Sequence, residues 1–510
     1  MGIVANQSMA NTIWLFVGSI IGAINVLFLF PYVLQDDQIG LTRLLTTLAI
    51  LISQVASIGG PTSVLKYIPV FRKSENNYSG LLTLIFSTCF IGFLISSLIL
   101  FFGKDAIVDY YKDNSALLVD FFIFLIPLLF AQILTQLITS FSESVLKSVV
   151  PLFLNEVFLR ALQSVLLGLV YFNYIDFIEF MYLFVCIHLL IGVLIYMYMV
   201  INSHIKFTLK LSISLKEYKK IFKYGFANML SGLAGGITNR IDLVMIGSMV
   251  SSMVIVGNQN SSNNGLYAIT VYSIAAYMAT MIEMPARALS KIATSFISTA
   301  WKENDLNTIS LLYKKSAVNQ LLFGLLVFGI IWVNIDGLLV FSGKDYSAGK
   351  WVFLFLGIAK LIHVGSGLNG KIIYMSNYYW VFTILTIGLA LLTFITNYFF
   401  ISHFENTDGW NGIDGAAFAT SISILLFNVV AVLFLKFKFK LFPYTLKIIV
   451  LLISSLLAIF LSSLIQINND YIILDMALKS IIFSIIYLPL IYFFKISDDF
   501  NGIVNKLLNK

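Results

Sequence analysis

TNRIDLVMIG, residues 238–247, decides how this chain is read. The stretch lies in a long apolar run, yet Arg240 and Asp242 stand two positions apart within it. On a helix of 3.6 residues per turn such neighbours point about 200° apart, so they cannot simply neutralise each other. A charge at the bilayer centre costs roughly 2.5–3.5 kcal/mol on insertion scales. At least one of the two must therefore face a polar cavity or another helix.

The rest of the chain makes the membrane reading unavoidable. Of 510 residues 59% are hydrophobic and only 11% charged, against about 25% charged in soluble domains. A water-soluble fold of this size could not cover its surface with so few charges. The net charge of +7 is spread through short connections between apolar runs. That pattern serves membrane orientation and argues against nucleic acid as a partner. Cys89 and Cys186 both sit in apolar runs, so neither a disulfide framework nor a metal cluster is expected. Residues 1–8 lack Lys and Arg, and the first apolar run is too long for a signal peptide, so it is expected to stay as the first span.

A helix needs about 20 apolar residues to cross the hydrocarbon core. Fourteen runs qualify: 9–34, 41–64, 80–102, 117–139, 148–171, 177–201 and 222–252, then 265–289, 316–335, 350–373, 378–402, 411–435, 444–465 and 472–494. The runs are continuous and do not alternate, which selects helices over a β-barrel. With the amino terminus in the cytoplasm, the inward connections collect most of the Lys and Arg, while outward ones carry acidic stretches such as QDDQ (35–38). The positive-inside rule then places both termini in the cytoplasm, as an even span count requires. The longest basic connection, HIKFTLKLSISLKEYKKIFK (204–223), reads as an interfacial segment joining two halves. The expected layout is six spans in 1–203, a basic linker at 204–221, six spans in 222–435 and two more in 436–510.

An internal repeat relates the halves. At an offset of 217 residues Ala10-Asn11 falls on Ala227-Asn228, Gly18 on Gly235 and Ile24 on Ile241. Gly40-Leu41 meets Gly265-Leu266 at the start of the next span. The two first spans run in the same direction, as in parallel repeats that build two lobes around a midplane cavity. The same register sets Asn25 opposite Asp242, making this depth polar in both halves. Gly18, Gly22, Gly232, Gly235 and Gly236 around it permit bending or close helix approach.

Three acid–base pairs have i, i+4 spacing with the acid first: Glu156/Arg160, Glu283/Arg287 and Asp475/Lys479. Each reads either as a structural tie or as a working group. Pro285 should kink the helix between Glu283 and Arg287. Arg43, Arg240 and Lys360 have no obvious local acid, His363 follows Lys360 by about one turn, and Gln132 and Gln136 put two amides on one face. The intramembrane excess is basic. That suits an anionic cargo, because arginine grips phosphate through two parallel hydrogen bonds and lysine acts as a point charge.

Two stretches carry a resemblance. ITNRIDLVMIG (237–247) followed by NNGLYAIT (263–270), and WNGIDGAAFATSIS (410–423), resemble the polysaccharide-export, O-antigen-flippase-like branch of the multidrug/oligosaccharidyl-lipid/polysaccharide exporter superfamily. The six-six-two layout agrees over nearly the whole chain. The resemblance implies an all-α polytopic membrane protein with two six-helix lobes in a V-shaped MATE-like arrangement and two C-terminal helices. It implies flipping of a polyprenyl-diphosphate-linked oligosaccharide to the outer face of a bacterial inner membrane for cell-surface polysaccharide synthesis. Arg240 and Asp242 match the charged part of the seventh-span motif. From charge and depth, the candidate substrate-binding residues are Arg43, Arg160, Arg240, Lys360, Asn25, Gln132 and Gln136. The candidate coupling and gating residues are Asp242, Glu156, Glu283 and Arg287. Membrane lipids and other polysaccharide-assembly proteins are the implied partners; no cofactor is expected, and the coupling ion, proton or sodium, stays open. A multidrug or cation antiporter of the same superfamily is the alternative, with Asp242 as its candidate carboxylate. A polysaccharide polymerase is disfavoured by short outer connections near 103–116 and 253–264, and ATP drive by the lack of a P-loop. A non-transporting scaffold would leave the intramembrane bases unexplained.

Overall fold

The computed structural model describes residues 2–71, 77–203, 215–251, 263–465 and 472–508. The described residues form helices and connecting turns, with no strand among them. Residues 204–214 of the expected linker and 252–262 of the expected outer connection lie outside the described residues. Among the described residues eleven helices are long and apolar enough to cross a membrane, and a twelfth span results if the bent pair Gly349–Gly365 and Asn369–Met375 is one crossing. The chain is a multi-pass membrane protein. The two remaining expected spans, at 222–252 and 265–289, fold as helices that are not among these: the first carries charged residues along its length, and the second, 18 residues long, includes an asparagine, a serine, two threonines and three tyrosines.

The chain divides into two compact units, Met1–Thr270 and Val271–Lys510. In the first, α1 (Gly2–Ile24) passes through a π-helical turn (Asn25–Leu29) into α2 (Phe30–Val33). There follow α3 (Asp36–Ala56), α4 (Gly60–Phe71), α5 (Asn77–Phe102), α6 (Lys104–Tyr111), α7 (Leu117–Phe121) and α8 (Leu125–Ser144). Next come α9 (Val149–Phe153), a second π-helical turn (Leu154–Phe158), α10 (Leu159–Tyr171), α11 (Phe177–Ser203) and α12 (Leu215–Met249). Helix α13 (Asn264–Met281) contains the unit boundary. Helices α3, α4 and α11 all pack on α8, and α12 lies along α3 and α4.

The 35 residues of α12 span about 52 Å, well beyond a hydrocarbon core of about 30 Å. The expected interfacial lysines Lys216, Lys219, Lys220 and Lys223 are therefore the exposed first turns of the same helix that carries Arg240. The expected span 41–64 ends early. Helix α3 stops at Ala56, and Ile58 (φ 48°) and Gly59 (φ 68°) turn the chain into α4. Gly59 lies against the Gly225 backbone, where a side chain has no room. The repeat-related Gly40 and Gly265 are likewise pinned: Gly40 on the Leu266 backbone, Gly265 between the carbonyls of Gly247 and Asn114. The repeat signature thus marks close backbone crossings.

The second unit continues with α14 (Met284–Lys302), α15 (Leu306–Val333), α16 (Ile335–Val340), α17 (Gly349–Gly365) and α18 (Asn369–Met375). It ends with α19 (Tyr379–Glu405), α20 (Gly412–Phe439), α21 (Leu446–Ser463), α22 (Ile472–Phe493) and α23 (Asp498–Leu508). Helix α15 packs against α14, α17, α21 and α22, around a core that includes Leu322, Leu325, Phe483 and Tyr487. The WNGIDGAAFATSIS motif opens α20. The Asn411 backbone N–H donates to Asp414 Oδ2 at 3.2 Å, Gly415 sits against the Phe400 carbonyl, and Ala416, Ala417 and Ala419 are fully buried. Small residues here let α19 and α20 approach closely, with Thr396 and Ser423 hydroxyls 3.1 Å apart between them.

Candidate functional site

In the first unit, α1 and α10 are tied by polar groups. Arg160 pairs with Glu156 at 2.9 Å, and its guanidinium also donates to the Gly18 carbonyl. Asn25 is buried at the head of the π-helical turn. Its amide donates to the Arg160 carbonyl at 2.8 Å and accepts from Ser164 Oγ at 2.6 Å. Asn25 and Glu156 each lie in a π-helical turn, a feature frequent at functional sites. Four sequence candidates, Asn25, Glu156, Arg160 and the Gly18 region, are therefore one cluster.

A second polar region lies on α3, α8 and α12. Arg240 is half-buried and carries no ion pair or hydrogen bond among the described residues. Asp242, two positions on, is buried, in keeping with the opposed directions their spacing dictates. One turn before Arg240, Gly236 lies against the Gln54 side chain. The Gln54 amide oxygen is buried with no hydrogen-bond partner among the described residues. Gln136 donates to Ser53 Oγ at 3.0 Å, while Gln132 on the same helix is half-buried and makes no hydrogen bond among the described residues. Nothing lies within 4 Å of where a side chain at Gly232 or Gly235 would begin, so those glycines border open space. Gln54 was not among the sequence candidates; its signal was an amide late in an otherwise apolar helix, beside a serine. Arg43 is half-buried, its guanidinium 5.0 Å from the centre of the Phe30 ring.

The second unit gathers the remaining candidates. The helix expected over 265–289 breaks after Met281, and Met284 with Pro285 starts α14. Proline suits a first helical turn because its missing N–H would be unpaired there anyway. Glu283 occupies the break. Its Oε1 lies 3.0 Å from Lys360 Nζ of α17 and its Oε2 lies 3.1 Å from Arg287 of α14. Lys360, expected to lack an acid, thus has one, supplied by a helix distant in sequence. Glu283 and Lys360 side chains are 12% and 14% exposed, Arg287 60%. His363 lies within electrostatic reach of Glu283, Lys360 and Arg287 and beside Asn428 of α20. Asn428 in turn accepts from Asn369 at 3.0 Å. Apart from this cluster, Asp475 and Lys479 form the third expected pair at 2.6 Å.

No family model matches the chain, and no curated protein matches it. Solved structures do. A lipid II flippase, MurJ, in an inward closed conformation superimposes with TM-score 0.71 at 14% identity, covering 95% of this chain and 99% of the other. An inward-facing multidrug resistance MATE family transporter of the MOP superfamily gives 0.60 at 14% identity, over 85% of this chain and 94% of the other. An outward-facing structure of such a transporter gives 0.57 at 15% identity, over 85% and 95%. The chain has the MurJ/MATE fold, a class whose solved members named here are transporters and flippases. At these identities the likeness is one of fold.

Proposed function

We propose that this protein is a flippase that moves a polyprenyl-diphosphate-linked oligosaccharide from the cytoplasmic to the outer face of a bacterial inner membrane by alternating access. The observation that carries this reading is Arg240, a half-buried guanidinium without a hydrogen-bond or ion-pair partner among the described residues, in the long helix α12. A base kept there unpaired costs stability unless an anion visits it. The fold shared with a lipid II flippase supports the same reading. In the proposal Arg240 and Arg43 of the first unit and, separately, Lys360 of the second are phosphate contacts, Gln132 and Gln136 meet sugar hydroxyls, and the lipid tail stays in the bilayer. Asn25 and Arg160 already bond each other's segments, so they take part only when α1 and α10 part. Both termini lie in the cytoplasm, the lobes are 1–203 and 222–435, and membrane lipids and other assembly proteins are the partners. Each negative charge moved outward across an inside-negative membrane gains about 2.3 kcal/mol per 100 mV.

The rival reading, a multidrug or cation antiporter, draws on buried Asp242 and on the fold shared with MATE transporters. Purified chain in vesicles separates the two. A fluorescent sugar on a prenyl diphosphate should cross faster than in protein-free vesicles, and the same sugar on a prenyl alcohol should not. Equal movement of both, with cation efflux that collapses on Asp242→Asn, would establish the antiporter instead.

A further inference from the structure

Glu283 is the acid of a three-membered ionic cluster, and its placement is unusual for a structural tie. It stands at the start of α14, where a carboxylate could cap the helix, yet its side chain makes no cap hydrogen bond. Both oxygens go to bases instead, one from α14 and one from α17. Lys360 is largely enclosed, whereas Arg287 presents an open side on which a second anion can sit. The cluster is net positive while closed: one acid against two bases, with His363 beside them.

An anionic headgroup that recruits Lys360 and Arg287 must draw them from Glu283. A mostly buried carboxylate stripped of its partners is costly as an ion, and a proton is the smallest group that removes the cost. We propose that Glu283 is an exchangeable counter-ion, released by Lys360 and Arg287 when a phosphate-bearing headgroup binds them and then taking up one proton. The proton comes from water on the loading side and sits on a Glu283 carboxylate oxygen. It leaves when the anion departs and the two bases close on Glu283 again. Loading and proton uptake are coupled without any further carrier. The charged and titratable groups facing Glu283 are Lys360 and His363 from α17 and Arg287 from α14.

This inference rests on the phosphate-cargo reading above, and one experiment tells their failures apart. A short-chain prenyl diphosphate is titrated calorimetrically into the full chain in detergent, in two buffers of different ionisation enthalpy at one pH. Protonation of the ligand itself contributes equally to every variant, so the difference from wild type is read. Wild type should take up about one proton more per ligand than Glu283→Gln. Glu283→Gln should bind at least about tenfold more tightly, since the internal competitor for a charge-assisted hydrogen bond is gone. Glu283→Asp, which keeps the charge, should restore part of the uptake, and His363→Asn should keep it. Binding with equal proton uptake in wild type and Glu283→Gln overturns the exchange and leaves the phosphate reading standing. Uptake lost in His363→Asn assigns the proton to the histidine and also overturns it. Absence of binding overturns both.

Discussion

Replacing Arg240 with alanine removes a guanidinium that the protein's own described groups leave unbonded. For a tie between helices, deletion would expose a stranded partner and cost the desolvation of that partner, about 1–3 kcal/mol or more if it is charged. Arg240 strands nothing. Thermal unfolding of Arg240→Ala should therefore match wild type or improve slightly, because a half-buried unpaired charge has gone. Transport should behave oppositely. A guanidinium gripping a diphosphate supplies charge-assisted hydrogen bonds worth roughly 1.5–3 kcal/mol, so its loss should weaken cargo affinity by about tenfold to 150-fold. Arg240→Lys keeps the charge but loses the planar fork, and should fall between. The assays are thermal unfolding in detergent and concentration-dependent flipping in vesicles. A large drop in unfolding temperature with unchanged flipping would refute the reasoning, because it would make Arg240 a structural tie.

Gly59→Ala should fail to fold or melt far below wild type: a left-handed backbone costs a residue with Cβ roughly 1–2 kcal/mol, and the new methyl would overlap the Gly225 backbone. Gly168→Ala in α10, where nothing lies within 4 Å, should instead stabilise by about 0.5–1 kcal/mol. Asp475→Leu or Lys479→Met alone should destabilise by leaving one partner of a 2.6 Å pair behind, while the double variant in a thermal melt should recover most of the loss. Asp305 caps α15, accepting from the Thr308 backbone N–H at 3.0 Å and its hydroxyl at 2.6 Å, and these bonds hold its carboxyl below the usual range. A lowered folded value means stabilisation that is present at neutral pH and lost as pH falls through it. Asp305→Ala should thus lower the melting temperature at pH 7, and the gap should close on acidification.

Much of the fold was legible because the bilayer imposes a length on each apolar run. Eleven expected spans correspond to the eleven helices that meet the same requirement among the described residues, and α8 and α11 show why: a continuous apolar stretch has no competing structure in lipid. What was not legible is where such runs break. At 41–64 the run stays apolar through Ile58-Gly59, and the helix ends there because the Gly225 backbone on α12 occupies the space. That contact joins residues far apart in sequence, so no local pattern announces it. At 265–289 the sequence did carry a sign, Pro285, but proline indicates either a kink or a helix start. Only the turn at Ile282–Glu283 shows that it begins a new helix.

The site divides along the same line. Pairs at i, i+4 were readable because helix geometry alone brings them together, and all three form. Lys360 was read as lacking an acid because its partner belongs to another helix, and this changes what the cluster can do. A lone lysine can only attract an anion. A lysine sharing Glu283 with Arg287 must give up one anion to take another. Arg240 is the opposite case, since opposed directions from Asp242 followed from spacing alone, and the absence of a described partner agrees with it. The chain therefore holds two kinds of helical base, one without a partner among the described residues and one already occupied. Removing the first should change affinity with little effect on folding. Removing the acid from the second should change affinity together with proton uptake. Neither pattern is expected of bases that serve only to pack helices.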